Sequence, residues 1–363
     1  MTKATPEQTR RARKAAAITA LFVVAFATCF AWLMMGLDSI ATMRQEQEVA
    51  IADKAISKPF YVLLIGSDTR KGTALYTGKA TEHAQIDQHS DVMTLMRVDP
   101  QNYVISLLTI PRDTVLSKDG EKINGALLED DPSQVLDAVE EVVGLRPDYY
   151  MLTTFGLFAD LIDAIGGITM DVALDVTIDD PSTGGKITVE AGPAQKLDGS
   201  QALALARMRS EYDEDQDAMR QINVRNIEQA IIERMLEEDS IGIESLLVVL
   251  ENDAKTDMDL SVLGLAVLKF IEHSSDVSII AGTGPYGGGV RDDDGQWVVS
   301  YDSPTWKKIM RVFTRGDDFS KIVKPPEIEM PAPEESPDSS KSSASQPSKG
   351  KGKSSGASVK KKS

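Results

Sequence analysis

Charged side chains flank three apolar runs in the first third of the sequence. Asp68 and Arg70 come shortly after "YVLLIG", Asp91 opens "DVMTLMRVD", and Arg112 and Asp113 follow "ISLLTI". Taken singly, each polar segment is typical of an ordinary turn. In α/β domains, however, functional groups collect at strand ends and in the loops that follow them. Magnesium is usually held by one or two carboxylates plus substrate phosphates. Together the segments predict one shared anion or metal site, with Asp68 and Asp91 as its carboxylates.

A second group of charges lies in the segment "LDGSQALALARMRSEYDEDQDAMRQINVRN". Arg207 and Arg209 are two residues apart and diverge on a continuous helix, so a helix that ends near residue 207 favours their convergence. Asp217 and Arg220 are three residues apart and share one helix face. As an exposed ion pair they would contribute less than about 1 kcal/mol. Guanidinium groups beside a metal site would instead suit a pyrophosphate, whose oxygens arginine binds in bidentate fashion.

The tripeptide His89-Ser90-Asp91 contains the three residue types of a hydrolase triad. A triad requires its side chains to converge within hydrogen-bond reach. Neighbouring side chains of an extended chain point to opposite faces. The sequence therefore disfavours a triad here, and leaves Ser90 as a backbone or turn residue.

An uncharged run of 23 residues occupies positions 15–37. As a helix it would be about 35 Å long, enough to cross a bilayer core of about 30 Å. Four basic residues precede it within residues 10–14, which predicts a cytoplasmic N-terminus and an exterior remainder. A cleaved signal peptide is the alternative, but its apolar region normally spans about 7–15 residues. The single cysteine, Cys29, lies in this run, so no exterior disulfide or thiol catalysis is expected.

The composition restricts the class of partner. The formal charge of the 363 residues is −17, although both ends of the chain are basic. A central region this acidic argues against general nucleic-acid binding and fits a solvated exterior surface. We therefore expect a basic cytoplasmic N-terminus (1–14), a transmembrane helix (15–37), a stalk (38–59), an extracellular globular domain (60–318) and a disordered tail rich in Pro, Ser and Lys (319–363).

Apolar runs and helical periods alternate within the globular segment. The predicted strands are 60–66, 91–99, 102–110, 168–178, 185–190, 276–282 and 296–301. The predicted helices are 133–143, 155–165, 199–209, 217–238, 242–252 and 260–272. The short turn between the second and third strands predicts an antiparallel pair. Runs that are apolar on both faces, interleaved with helices, predict an α/β fold in which helices cover both faces of a mixed sheet.

Several spaced motifs within residues 60–315 resemble the LytR-CpsA-Psr family. They include "LLIGSDTR", "SDVMTLMRVDPQNYVISLLTIPRDT", "KINGA", "LDGSQALALARMR" and "DAMRQ", in this order. The resemblance implies an α-β-α sandwich with a hydrophobic pocket for a polyprenyl chain. It also implies a membrane-anchored, magnesium-dependent enzyme that transfers a glycopolymer from a polyprenyl-pyrophosphate carrier to peptidoglycan.

The resemblance also implies roles for individual residues. Asp68 and Asp91 match magnesium-associated aspartates. Pyrophosphate contacts are expected from Arg70, His89, Arg112, Lys122, Arg207, Arg209 and Arg220, and catalytic roles from Asp68, Arg112, Arg209 and Asp217. The implied reaction is attack by a peptidoglycan hydroxyl, expected to be the C6 hydroxyl of muramic acid, on the phosphorus attached to the sugar, with polyprenyl phosphate leaving. The general base stays open.

Two segments depart from the family pattern. His89 stands where an arginine is usual, and Asn223 and Val224 replace a basic and an amide residue. Arg225 can compensate only if the helix register adapts. Loss of two fixed positive charges predicts weaker pyrophosphate binding. Two other functions therefore stay open: a non-catalytic member that binds lipid-linked polymer or regulates assembly, and a phosphatase acting on the lipid carrier with water as acceptor.

Overall fold

The computed structural model describes residues 54–67, 89–127, 131–179, 185–208, 216–237, 243–291 and 294–326. In these ranges the strands are β1 (Phe60–Ser67), β2 (Ser90–Asp99), β3 (Val104–Thr109), β4 (Tyr149–Thr153), β5 (Ile168–Val172), β6 (Val176–Asp179), β7 (Lys186–Val189), β8 (Gly192–Leu197), β9 (Lys255–Thr256), β10 (Ser278–Thr283), β11 (Gly288–Val290) and β12 (Trp297–Val299). The helices are α1 (Ser133–Val143), α2 (Phe155–Ala164), α3 (Gly199–Arg207), α4 (Gln216–Leu236), α5 (Ile243–Asp253), α6 (Leu260–Glu272) and α7 (Ser303–Phe313).

The central sheet has six strands in the order β10-β3-β2-β1-β4-β9. Strand β1 pairs antiparallel with β2 and parallel with β4. Strand β3 pairs antiparallel with β2 and parallel with β10, and β9 closes the other edge antiparallel to β4. The sheet is therefore mixed, as predicted. The predicted antiparallel pair of the second and third runs is confirmed, with Asp99 opposite Val104.

Helices cover both faces of this sheet. Alternate residues of its strands point to opposite sides, and apolar side chains on both sides are buried against helices. On one face, Leu63 of β1 shares a buried cluster with Val139 of α1 and Trp306 of α7. On the other face, its neighbour Val62 belongs to a cluster that includes Phe270 of α6. The arrangement of helix, sheet and helix layers agrees with the predicted sandwich.

A third buried cluster joins two short two-stranded antiparallel sheets, β5–β8 and β6–β7, to helices α2, α3 and α4. Helix α3 starts with a capping box in which the Asp198 and Gln201 side chains each bind the other's backbone N–H. At Gly199 the backbones of α3 and α2 meet so closely that a Cβ would lie 2.1 Å from the Ala159 carbonyl oxygen. This contact fixes α3, whose last residue is Arg207.

Most predicted helices agree with the structure to within two residues at each end, and α1 and α6 have the predicted bounds. The predicted strand 168–178 is two strands, β5 and β6, each paired with a different partner. Strands β4, β8, β9 and β11 and helix α7 were not predicted. Helix α7 carries clear start signals, since Asp302 caps it and Pro304 occupies its first turn.

Two predicted segment boundaries need correction. Ile56, assigned to the stalk, is buried in the same cluster as Phe60. Phe319, assigned to the disordered tail, is 1% exposed and stacks edge-on against Phe313 at 5.2 Å between ring centroids. Both residues are apolar and gain by burial, so the folded region extends a few residues beyond each predicted limit.

The predicted membrane helix, residues 15–37, lies outside the described residues, as does most of the predicted tail. Of the helices that the structure does describe, none has both the length and the apolar character needed for a membrane crossing.

Candidate functional site

The charged segments singled out in the sequence meet at one edge of the central sheet. Strands β1 and β3 end there and the antiparallel strand β2 begins there. A register shift at Gly66 and Ser67 places Ser67 opposite Ser90. A Cβ at Gly66 would lie 2.9 Å from the Val92 Cβ, so glycine permits this close approach of the two strands. The Ser90 hydroxyl donates to the Asn124 carbonyl at 3.3 Å, which makes Ser90 a buried structural residue.

Four side chains form a row of alternating charge along this edge: Asp91, Arg112, Asp113 and Lys122. The Arg112 guanidinium is ion-paired with Asp91 and lies 3.9 Å from an Asp113 carboxylate oxygen. Lys122 Nζ contacts the same Asp113 oxygen at 2.9 Å. These side chains are about one-sixth to one-fifth exposed, so they are screened from solvent but accessible at one side. Opposed charges hold both cations in place beside Asp91.

Helix α4 joins this row through Arg220, whose side chain is 3% exposed. Its Nε donates to Asp217 at 3.0 Å and its Nη2 donates to the Asp91 backbone carbonyl at 2.9 Å. The Gln221 amide also donates to Asp217. Asp217 and Arg220 share one helix face, as predicted. They do not form the exposed ion pair considered above, because the Arg220 side chain is buried. Arg220 clamps α4 to the start of β2.

Arg207 comes from α3, which ends at that residue, as the predicted convergence of the arginines required. Its guanidinium carbon lies 5.0 Å from the centroid of the Phe155 ring, a cation–π contact that orients it. The Asn223 amide donates to the Leu205 carbonyl at 3.4 Å, near the C-terminus of α3. The departure from a basic residue at 223 therefore serves packing between α4 and α3 in this chain.

Arg225 does not take over the role of a pyrophosphate ligand. It is 6% exposed and its Nη1 donates to the Thr109 hydroxyl at 3.3 Å, so it is committed to the interface between α4 and β3. His89, by contrast, is exposed at the start of β2, directly before the charged row.

A cavity of about 900 Å³ lies between the sheet and helices α2 to α6. One end is polar and includes Asp91, Arg207 and Arg220, so the cavity meets the charged edge described above at Asp91 and Arg220. The rest is lined mainly by apolar side chains, among them Val62, Met96, Leu107, Phe158, Leu263 and Phe270. The α4 residues that line it run from Arg220 to Leu236, which corresponds to about 24 Å along the helix axis. The cavity is thus long and mainly apolar, with fixed charges in the lining at one end.

One acidic residue, Glu228, lines the apolar part of the cavity. Its carboxyl group is buried, and this burial raises the pKa of Glu228 to about 7; the nearby Thr94 hydroxyl and the Arg225 guanidinium act in the opposite direction. This residue was not predicted as functional, because a glutamate in "IEQAIIERM" is typical of a solvated helix face.

The charged edge supplies oxygen donors of the kind that magnesium prefers. Within the described ranges, no three His, Cys, Asp or Glu side chains form a group that could hold a metal ion. Asp91 is present with its side chain one-fifth exposed, and Asp68, its predicted partner, lies outside these ranges. One or two carboxylates completed by phosphate oxygens is the usual donor set for magnesium. Asp91 therefore fits the predicted ion.

The remaining predicted site residues divide into two groups. Arg112, Lys122, Arg207, Asp217 and Arg220 come together with Asp91 at the charged edge. Asp68, Arg70 and Arg209 lie outside the described residues.

Comparison with known proteins identifies the family. Residues 35–311, more than half of the chain, match the model of the LytR_cpsA_psr family. The chain belongs to this family. Polyisoprenyl-teichoic acid--peptidoglycan teichoic acid transferase TagU of Bacillus subtilis is 31% identical to this LytR_cpsA_psr protein over 221 residues, 59% of the chain and 64% of TagU. An uncharacterized protein of Staphylococcus aureus is 29% identical over 225 residues, 61% of the chain and 53% of that protein. The chain spans about half to two thirds of the length of these relatives.

Solved structures show that the LytR_cpsA_psr protein shares its fold with known members. Bacillus subtilis TagV matches with a TM-score of 0.58 and 24% identity, over 71% of this chain and 97% of TagV. TagT bound to LI-WTA matches with a TM-score of 0.53 and 19% identity, over 72% of this chain and 91% of TagT. The α/β fold with a six-stranded mixed sheet is therefore the family fold.

Proposed function

We propose that this protein is a membrane-anchored phosphotransferase that moves a cell-wall glycopolymer from a polyprenyl-pyrophosphate carrier to peptidoglycan. The observation that carries the proposal is the continuity of the apolar cavity with the charged edge. A cavity of about 900 Å³ is large enough for a sizeable apolar ligand, and fixed cations lie at one end of it. An amphiphile with a long hydrocarbon chain and an anionic head matches both parts. The name of the TagU relative, a teichoic acid transferase, supports the same class of reaction.

In this proposal the chain of the carrier occupies the cavity and the pyrophosphate lies against Arg112, Lys122 and Arg207. These cations are held by Asp91, Asp113 and the Phe155 ring, so little reorganisation is required when charge develops on the phosphate oxygens. Arg70 and Arg209 are proposed to contact the same group, and His89 lies at its rim. Arg220 is buried and already bonded, so it contributes by positioning Asp91 and Asp217.

The acceptor hydroxyl of peptidoglycan attacks the phosphorus attached to the sugar. A bond forms between that phosphorus and the acceptor oxygen, the pyrophosphate P–O bond breaks, and polyprenyl phosphate leaves. The hydroxyl proton passes to a general base, for which Asp68 and Asp217 are the candidates. Asp91, with Asp68, is proposed to hold magnesium, which when bound neutralises phosphate charge.

The location of the protein is part of the proposal. The uncharged run 15–37, preceded by Arg10, Arg11, Arg13 and Lys14, supports a single membrane span with the N-terminus in the cytoplasm. The described domain is then extracellular, beside the membrane that supplies the carrier and the peptidoglycan that accepts the polymer.

The proposal is tested with the purified full chain in detergent, supplied with a polyprenyl-pyrophosphate-linked teichoic acid precursor, peptidoglycan and magnesium. We expect polymer to become covalently attached to peptidoglycan and polyprenyl phosphate to be released in equal amounts. Release of polyprenyl phosphate without attachment would instead identify a phosphatase. Binding of the precursor without turnover would identify a non-catalytic binding protein.

A bulky side chain inside the cavity is expected to block chain binding. Val267 on α6 lines the cavity and is only partly buried, so Val267→Trp has room to turn into the empty space. We expect the KM for the lipid-linked precursor to rise at least tenfold, because about one indole volume of the chain site is lost. The measurement is the KM in the transfer assay, together with binding of undecaprenyl phosphate.

The next residue on the same helix provides the control. Leu268 is 52% exposed and does not line the cavity, so Leu268→Trp should leave KM unchanged. Equal KM values for Val267→Trp and Leu268→Trp would show that the cavity does not hold the carrier.

A further inference from the structure

Glu228 occupies the middle of the cavity wall. Helix α4 presents Arg220, Val224, Glu228 and Ile232 to the cavity, at intervals of four residues that keep them on one face. Glu228 is therefore about 12 Å along the helix axis from Arg220, and the wall continues for a similar length to Leu236. A chain long enough to fill the cavity must pass Glu228.

The surroundings of this carboxyl group are unusual for an acid. Glu228 is 9% exposed, and its Oε2 atom has no hydrogen-bond partner among the described residues. The hydroxyl of Thr94, on strand β2, lies close enough to lower the pKa of Glu228 but forms no hydrogen bond of good geometry with it. Buried polar atoms of this kind are rare in native proteins and call for an explanation.

We propose that Glu228 is a binding residue of the cavity whose protonation controls occupancy by an apolar chain: the neutral acid admits the chain and the carboxylate excludes it. The inference rests on the proposed function, because it takes the occupant of the cavity to be the hydrocarbon chain of the carrier. Beyond the proposed function, the affinity for that chain depends on whether the Glu228 carboxyl group is protonated.

The physical reason is desolvation. In the empty cavity, water in the open space can reach the 9% of the Glu228 surface that is exposed. A hydrocarbon chain in that space removes the water and offers no hydrogen bond in return, which penalises the charged form far more than the neutral one. Binding of the chain therefore favours proton uptake, and by linkage a lower pH favours binding of the chain.

The charges that face Glu228 do not remove this preference. From its own helix, Arg225 is near but donates to Thr109. The strands contribute the Thr94 hydroxyl, and helices α2, α5 and α6 contribute only apolar side chains to the cavity. The other charged residues of the lining, Asp91, Arg207 and Arg220, belong to the polar end.

The test uses geranylgeraniol, an isoprenoid alcohol without an ionisable group, and the full chain at a constant detergent concentration. Since the pKa of Glu228 in the empty cavity is about 7, the competent fraction falls about tenfold between pH 6 and pH 8. We therefore expect the Kd of the wild-type chain to rise about tenfold over this interval. Glu228→Gln and Glu228→Met, which cannot ionise, should bind at pH 8 as tightly as the wild-type chain binds at pH 6.

Glu233→Gln is the matched control, because Glu233 is exposed on the same helix and does not line this cavity. It should retain the pH dependence of the wild-type chain. A Kd that does not change between pH 6 and pH 8 in the wild-type chain would overturn the role of Glu228 and leave the proposed function intact. The same holds if Glu228→Gln retains the full pH dependence. Failure of every variant to bind geranylgeraniol at any pH would refute the proposed chain site itself.

Discussion

Replacing Arg112 by alanine is expected to lower the rate of glycopolymer transfer by a factor of about 10² to 10³, the usual effect of removing one preorganised charge-stabilising donor. Arg112 is the only described arginine that contacts both Asp91 and Asp113, so it links the proposed magnesium carboxylate to Lys122. Its loss removes a cation from the pyrophosphate and frees the carboxylates to repel it. The measurement is kcat/KM in the transfer assay, with the affinity for polyprenyl pyrophosphate determined separately.

Arg146→Ala is the control for this substitution. Arg146 is about half exposed and pairs with Asp137 and Glu140 on α1, so its removal takes away one positive charge far from the site. We expect its transfer rate to equal that of the wild-type chain. Arg112→Lys should recover part of the activity, since it restores charge without bidentate geometry. Unchanged kinetics in Arg112→Ala would remove the site assignment.

Replacing Asp99 by alanine is expected to lower the free energy of unfolding by about 3–5 kcal/mol, the range for breaking a buried ion pair from one side. Asp99 pairs with Arg97 at 2.8 Å, and both side chains are 3% exposed. The Nε and Nη1 atoms of Arg97 have no other partner among the described residues, so the substitution leaves a buried guanidinium uncompensated. Asp99 also accepts hydrogen bonds from the backbone N–H groups of Gln101 and Asn102, which shape the turn between β2 and β3.

Urea denaturation followed by circular dichroism measures this loss. Asp137→Ala provides the comparison, because the Asp137 carboxylate is 65% exposed and its ion pair with Arg146 lies in solvent. Exposed pairs of this kind contribute less than about 1 kcal/mol. If the two substitutions destabilise the protein equally, the Arg97–Asp99 pair does not stabilise the fold as its burial indicates.

The layers of the fold could be predicted from the sequence, because the apolar runs and helical periods are long. The predictions of secondary structure failed for short strands that form only by pairing with a neighbouring strand. Strand β4 is short, and β9 has two residues that are ordered by pairing with β4. Strand β8 contains Pro193, a residue that disfavours a strand prediction. The order of the strands depends on long-range pairing and has no local signal.

The site was predictable in its residue types and less so in their roles. Charges at strand ends pointed to the charged edge, because strand ends that meet at one edge bring distant segments together. The spacing of residues in the sequence does not indicate burial. It could therefore not show that Arg220 binds the Asp91 backbone or that Asn223 binds the Leu205 carbonyl of α3. The cavity arises from five helices and the sheet, and no single segment encodes it. Glu228 was not predicted as a site residue, because its position in the cavity wall depends on those same elements.

The two faces of the central sheet divide the protein into a part that confers stability and a part that can vary. The face toward α1 and α7 carries the buried cluster that includes Leu63 and Trp306, and this burial stabilises the fold. The opposite face also carries a buried cluster, but it encloses open space, so partly buried lining side chains such as Val267 can change size there without disturbing the core. A lineage could therefore alter the length or branching of the lipid it accepts by substituting residues of one face alone. In this architecture, substrate range can evolve separately from folding.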